Sequence, residues 1–167
     1  IIKISGTPKL ININEFRHNG AAGKVDLSGK VELNNGPAWQ LKGTLDRFNP
    51  GFFVRSFAGW VSGSFHTAGH WQDHRKDIQL SNLNLDGVIK NQPVIGRGSL
   101  SVSLNNTLNN NKAGLLPSKF EAQNLLLVFA GNQITANGNS NRLALDVNAP
   151  ALNQIYSGIT GKVAGRI

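Results

Sequence analysis

Hydrophobic and polar positions alternate with period two along most of the chain. From Lys24 to Asn34 the odd positions are Val25, Leu27, Gly29, Val31 and Leu33, and the even ones are Lys24, Asp26, Ser28, Lys30, Glu32 and Asn34. Successive strand side chains point to opposite faces, so this spacing predicts a strand dry on one side and wet on the other. Asn34-Asn35-Gly36-Pro37 supplies a turn, since Asn-Gly tolerates the positive φ of tight hairpins. The next run repeats the pattern, with Trp39, Leu41, Gly43 and Leu45 set against Gln40, Lys42, Thr44 and Asp46. Val61, Gly63 and Phe65 continue it, as do Leu83, Leu85, Gly87 and Ile89 before a turn at Lys90 to Pro93. Val94, Gly96, Gly98, Leu100, Val102 and Leu104 form the cleanest apolar row, opposite Ile95, Arg97, Ser99, Ser101 and Ser103. Later rows are Leu125, Leu127 and Phe129; Ile134, Ala136 and Gly138; Leu143, Leu145 and Val147. Asn105 to Lys112 reads as a polar loop, and Gln72 to Asp77 as a charged hairpin loop.

Two segments break the alternation. Asn49-Pro50-Gly-Phe-Phe53 has a capping Asn and a Pro at the first helical position, and Ala149-Pro150 to Tyr156 opens similarly. Each predicts one or two helical turns. The stretch after each is also shared: Phe57 to Phe65 matches Ile159 to Ile167 in its Gly-x-Val-x-Gly core, at a constant offset of 102 residues. Recurrence of a helical turn, a Gly-rich strand and further strands predicts an elongated stack, with a repeat boundary near 148–150 and residues 1–167 as one segment of it. The chain begins at Ile1 and stops mid-pattern at Ile167, which leads us to expect an internal piece of a longer protein.

Composition narrows the function. The 167 residues carry a net charge of +8, which favours anionic partners. The basic residues are nevertheless scattered, with Arg75-Lys76 the one adjacent pair. A nucleic-acid binder concentrates its charge and interleaves aromatics, so we expect no nucleic-acid partner. The absence of cysteine excludes disulfides and Cys-based metal sites. No run has the length of a transmembrane helix.

Catalytic signals are poor. His66, His70 and His74 are four apart, with Asp73 and Asp77 nearby, a spacing that could hold zinc on a helix. A strand-and-loop setting separates them, and there is no His-Glu-x-x-His run. Gly96-Arg-Gly98 leads into a strand, so it is no dinucleotide loop, and no Gly-x-Ser-x-Gly elbow occurs. The expectation is a protein without catalytic residues, metal or cofactor. A carbohydrate-cleaving β-solenoid would need clustered carboxylates, and none is marked.

The apolar face is the remaining signal. Its predicted members are Val25, Leu27, Val31, Leu33, Trp39, Leu41, Leu45, Val61, Phe65, Leu83, Leu85, Ile89, Val94, Leu100, Val102, Leu104, Leu125, Leu127, Phe129, Ile134, Leu143, Leu145 and Val147. Alternation alone leaves two uses open. A second sheet could bury the face as a sandwich core. An open sheet would instead present a greasy trough, in which an acyl chain gains about 0.8 kcal/mol per buried CH₂. The glycines on this face relieve either curvature or bulky neighbours.

Several segments resemble the TamB family, the inner-membrane-anchored members of the AsmA-like group in Gram-negative bacteria. They are Trp39-Gln-Leu-Lys-Gly-Thr-Leu45 leading into Asn49-Pro50, Phe57 to Phe65, Leu80-Ser-Asn-Leu-Asn-Leu-Asp-Gly87, and Leu143-Ala-Leu-Asp-Val-Asn-Ala-Pro-Ala-Leu152 running into Ile159 to Ile167. The likeness runs from about residue 22 onward. It implies an all-β fold: an elongated antiparallel sheet folded over into an open U-shaped groove, a β-taco, with a hydrophobic interior. It also implies a periplasmic location, phospholipid transport between inner and outer membranes, and a role in outer-membrane protein assembly. The partners implied are phospholipid acyl chains along the face residues above and, through the parent chain, a TamA-like outer-membrane protein. The segment itself is expected to be monomeric. A competing expectation is a scaffold or chaperone whose open sheet edges pair with nascent outer-membrane strands.

Overall fold

Alternating runs separated by short turns form strands that pair in chain order. The computed structural model describes every residue except 35, 73, 110–111, 156–160, 162 and 167, and the side chains at 106–117 and 154–155 are also outside the description. The strands are β1 (Ile2–Thr7), β2 (Leu10–Gly20), β3 (Gly23–Glu32), β4 (Ala38–Phe48), β5 (Gly59–Gln72), β6 (Arg75–Ile89), β7 (Gln92–Asn109), β8 (Lys112–Phe129), β9 (Asn132–Asn139), β10 (Arg142–Ala149) and β11 (Val163–Arg166). They make one sheet in the order β1 to β11, antiparallel throughout. β1 and β11 are its two edges, so the sheet is open. Among the described residues, substantial contacts between strands run only between ladder neighbours, and no second layer covers either face.

Local chemistry explains the connections. Lys90 and Asn91 have φ of 52° and 60°, and Ala130 and Gly131 have 52° and 75°. Two successive positive φ values define the tight hairpin turn whose twist matches that of its strands. Between β4 and β5 the chain makes two 3₁₀ turns, Pro50–Phe52 and Arg55–Phe57. Asn49 caps the first, its Oδ1 accepting from Gly51 N at 2.9 Å and from Gly59 N at 3.3 Å. After β10 a single helical turn, α1 (Leu152–Ile155), takes the corresponding place.

Two expected loops are strand instead. Asn105 to Lys112 continues β7 and begins β8, with Asn105 opposite Leu116 and Asn109 opposite Lys112; only 110–111 lie outside the described residues. Backbone pairing across a long hairpin outweighs the polar composition that suggested a loop. Likewise β5 runs to Gln72 and β6 starts at Arg75, so of the expected loop at Gln72 to Asp77 only His74 is described outside a strand, and residue 73 lies outside the described residues.

Bulges interrupt β2, β4, β6 and β8. In β6, the three-residue step from Leu80 to Leu83 opposes the two-residue step from Leu100 to Gly98. The extra residue is absorbed at Asn82, φ 51°; Arg47 in β4 and Asn124 in β8 have φ of 48° and 47° at equivalent steps. A neighbouring side chain engages each. Arg47 N donates to Ser62 Oγ (2.8 Å), Asn124 N donates to Asn137 Oδ1 (3.1 Å), and Asn82 Nδ2 lies 3.2 Å from His66 Nδ1. Each bulge bends its strand and reverses the odd–even assignment of faces beyond it.

The apolar face as candidate functional site

Residues opposed across an antiparallel ladder share a face, so register carries one face from strand to strand. One row runs Ile11, Val31, Trp39, Gly69, Ile78, Val102, Phe120. A second runs Ile13, Gly29, Leu41, Thr67, Leu80, Leu100, Ala122, Gly138, Leu143. A third runs Leu45, Gly63, Leu85, Gly96, Leu127, Ile134, Val147, Gly165. All three lie on the same side of the sheet.

This side holds every face residue singled out from the sequence that has a ladder partner, which leaves Leu33 unassigned. Leu33 follows the end of β3, has no ladder partner and is 50% exposed. The register adds Ile2, Ile4, Phe16, Phe48, Ile78 and Leu80, together with the Ile11, Ile13 and Phe120 of the rows above. The signal for Ile2, Ile4, Ile11 and Ile13 was present as Ile-x-Ile spacing. Ile78, Leu80 and Phe120 precede bulges, so their parity differs from that of the residues after them.

The face buries itself only by side chains lying against one another. Leu125, Leu83, Val61 and Val25 are buried, as are the small residues Ala122 and Ala136, while most larger neighbours stay half-exposed. Glycine opposite a large residue lets that residue lie flat. A Cβ on Gly43 would sit 2.7 Å from both Leu27 Cδ2 and Phe65 Cζ, and one on Gly69 only 2.2 Å from Trp39 Cζ2. At these two positions the glycines answer to bulky neighbours, the second of the readings left open by sequence. At one end of the face, Phe53 of the first connector stacks on Phe48 with ring centroids 6.0 Å apart.

Charge divides between the faces. Every Asp and Glu with a described ladder partner lies on the other, polar side: Glu15, Asp26, Glu32, Asp46, Asp77, Asp86, Glu121 and Asp146. Most are ion-paired there, as in Lys3–Glu15 (2.6 Å), Arg17–Asp26 (2.7 Å), Lys24–Asp46 (3.0 Å) and Arg75–Asp77 (2.8 Å). The Ser103 hydroxyl, donating at 2.5 Å, holds the Asp77 carboxyl below its ordinary range, with Arg75 assisting and burial opposing. A hydrogen bond from Lys3 similarly lowers Glu15. On the apolar side one described ladder residue bears a formal charge, Lys76.

The polar side carries several hollows. One of about 540 Å³ is lined by Lys30, Glu32, Gln40, His70, Arg75 and Asp77 among others. His66 and His70 are on this side of β5, opposite Ser81 and Asp77, and His66 is engaged by Asn82. Among the described residues no three His, Asp or Glu side chains stand close enough to hold a metal. No helix there is long and apolar enough to cross a membrane.

Comparison with known proteins agrees with this arrangement. A family model described as the N-terminal domain of TamB matches residues 2–167, which extends the likeness back over β1 and β2. The translocation and assembly module subunit TamB of Haemophilus influenzae is 26% identical over 160 residues, covering 94% of this chain and 11% of that protein. No solved structure matches the chain. An all-antiparallel open sheet, one face whose described ladder residues carry a single formal charge, and a family match running nearly end to end lead to one assignment: the chain belongs to the TamB family.

Proposed function

We propose that this chain is a segment of a hydrophobic conduit that carries phospholipids through the periplasm between inner and outer membranes, as part of a longer protein anchored in the inner membrane. The carrying observation is the partition of charge: among the described residues, eleven strands contribute apolar side chains to one face, the paired carboxylates take the other, and no layer covers the apolar side. A sandwich core would have a partner sheet. An uncovered apolar face of this extent needs an occupant, and large exposed apolar patches mark interaction surfaces. Acyl chains suit it because they require no specific polar contact, and each buried CH₂ contributes about 0.8 kcal/mol. The predicted face residues, Val25 to Val147, are then groove-lining and no step is catalytic.

The name of the Haemophilus relative, a translocation and assembly module subunit, supports a linked role in outer-membrane protein assembly. A TamA-like outer-membrane partner would be engaged by the parent chain outside this segment. The repeat boundary near 148–150 belongs to the same reading: Gly59 and Gly161, 102 residues apart, have φ of 153° and 132° and each follows a helical turn.

The test is lipid crosslinking in the full-length protein. Leu100→Asp or Leu127→Arg, placed in the middle of the face, is expected to abolish lipid adducts with the sheet intact by circular dichroism. Undiminished adducts in both variants would sink the conduit reading. Proline substitutions in β1 or β11 that abolish function while Leu100→Asp does not would favour the edge-pairing scaffold instead.

A further inference from the structure

Resting on that conduit reading, we propose that Lys76, together with Trp71 and Trp39, holds the phosphate of a phospholipid headgroup at one rim of the apolar face.

Lys76 is the second residue of β6 and pairs with Trp71 of β5 and Leu104 of β7, both on the apolar side. Its Nζ sits 5.4 Å from the centre of the Trp71 ring. Trp71 in turn meets Trp39 edge to face, with centroids 5.6 Å apart, and Trp39 Nε1 donates to Thr67 Oγ1 at 3.2 Å. The result is a cation seated on a braced pair of indoles where the strands end.

Placement makes this lysine unusual, because it is the one described ladder residue with a formal charge on the apolar side. Seven carboxylates form ion pairs on the polar side, and none of those pairs includes Lys76. Lys76 is half-buried beside the exposed Trp71 ring, so its stem can lie on apolar surface while its ammonium stays open to an anion at the rim. Indole and lysine together also match the chemistry of a lipid–water boundary, where one end of a group is apolar and the other wet.

The dimensions agree. From Lys76 the face continues along β6 through Ile78, Leu80, Leu83 and Leu85 to Ile89. Thirteen residues at about 3.3 Å each span roughly 43 Å, against about 15 Å for one leaflet of a bilayer's 30 Å hydrocarbon core. A lipid held by its phosphate at Lys76 therefore lays its chains wholly on apolar side chains. At the opposite end of β6, Lys90 lies 5.5 Å from the centre of the Phe57 ring, a second cation over an aromatic at the other rim.

The experiment uses the full-length protein in mixed detergent micelles containing equimolar phosphatidylglycerol and diacylglycerol of the same acyl composition. Lipid retained after gel filtration is counted by mass spectrometry. The expected result is a preference for phosphatidylglycerol that falls about fivefold in Lys76→Gln, the range of one charge-assisted contact at a partly exposed site. Lys76→Arg should keep the preference, as should Lys42→Gln, which removes a cation from the polar side. An unchanged preference in Lys76→Gln would overturn the headgroup site, as would equal uptake of both lipids by the wild type; in each case the conduit reading survives. Failure of the wild type to retain either lipid would overturn both.

Discussion

Trp39 and Gly69 face each other across β4 and β5, and the indole occupies the space a side chain at 69 would need: a Cβ there would sit 2.2 Å from Cζ2. Gly69→Ala must therefore move a tryptophan that is hydrogen-bonded to Thr67 and packed edge-on against Trp71. Overpacking of this kind costs about 1–3 kcal/mol. Urea denaturation should show that loss. Gly96→Ala should cost less, because its Cβ would meet Leu83 Cδ2 at 3.0 Å, the far end of a flexible side chain. Equal losses at the two positions would contradict this account.

Asn82 supplies a second test, through backbone conformation. Its φ of 51° is strained for a β-branched residue, and its side chain reaches His66. Asn82→Val is expected to destabilise by about 1–3 kcal/mol, while Asn82→Gly stays close to the wild type. Thermal unfolding of the two variants measures the difference. A valine variant as stable as the glycine one would mean that the bulge does not hold this conformation.

The bulges also mark the limit of what the sequence makes legible. Period-two alternation identifies the strands and the apolar rows from Val25 to Val147 because each row is read within one uninterrupted run. Across Asn82 the dry positions change from even (Ile78, Leu80) to odd (Leu83, Leu85), and across Asn124 from Phe120 and Ala122 to Leu125 and Leu127. No local residue pattern announces such a switch, since Asn serves equally in ordinary turns. The hairpin through Asn105 to Lys112 was hidden for a different reason: its strand state comes from pairing between β7 and β8, not from the propensity of its own residues. Lys76 was visible only as half of a basic pair. Its place on the dry face required the register of three strands.

Acid should weaken the polar side at Asp77. The Ser103 hydroxyl and Arg75 hold this carboxyl below its ordinary value of 3.8. An unfolded chain then binds the proton more readily than the folded one, so stability rises with pH across this range. The contribution is complete above the unfolded value and is lost as pH falls through the folded one. Ser103→Ala removes the largest cause and is expected to raise the Asp77 pKa, read from the carboxyl carbon shift in an NMR titration. The variant should also show a shallower loss of stability below pH 4. An unmoved titration would assign the shift to Arg75 alone.

The strongest test of the face as a whole is parity. A photo-crosslinking amino acid placed in turn at each position from Ile78 to Leu85 of the full-length protein reports which side chains meet lipid. Register assigns Ile78, Leu80, Leu83 and Leu85 to the apolar side, and Gln79, Ser81 and Asn84 to the polar side. Lipid adducts should therefore appear at even positions up to 80 and at odd positions from 83. A switch at this point cannot come from accessibility alone: Gln79 and Asn84 are exposed, yet both should be silent, whereas Leu83 is buried and should label once lipid displaces its neighbours. Adducts that keep a single parity through Asn82 would place the wrong residues on the face. Adducts at every position would mean that lipid does not distinguish the two sides of the sheet.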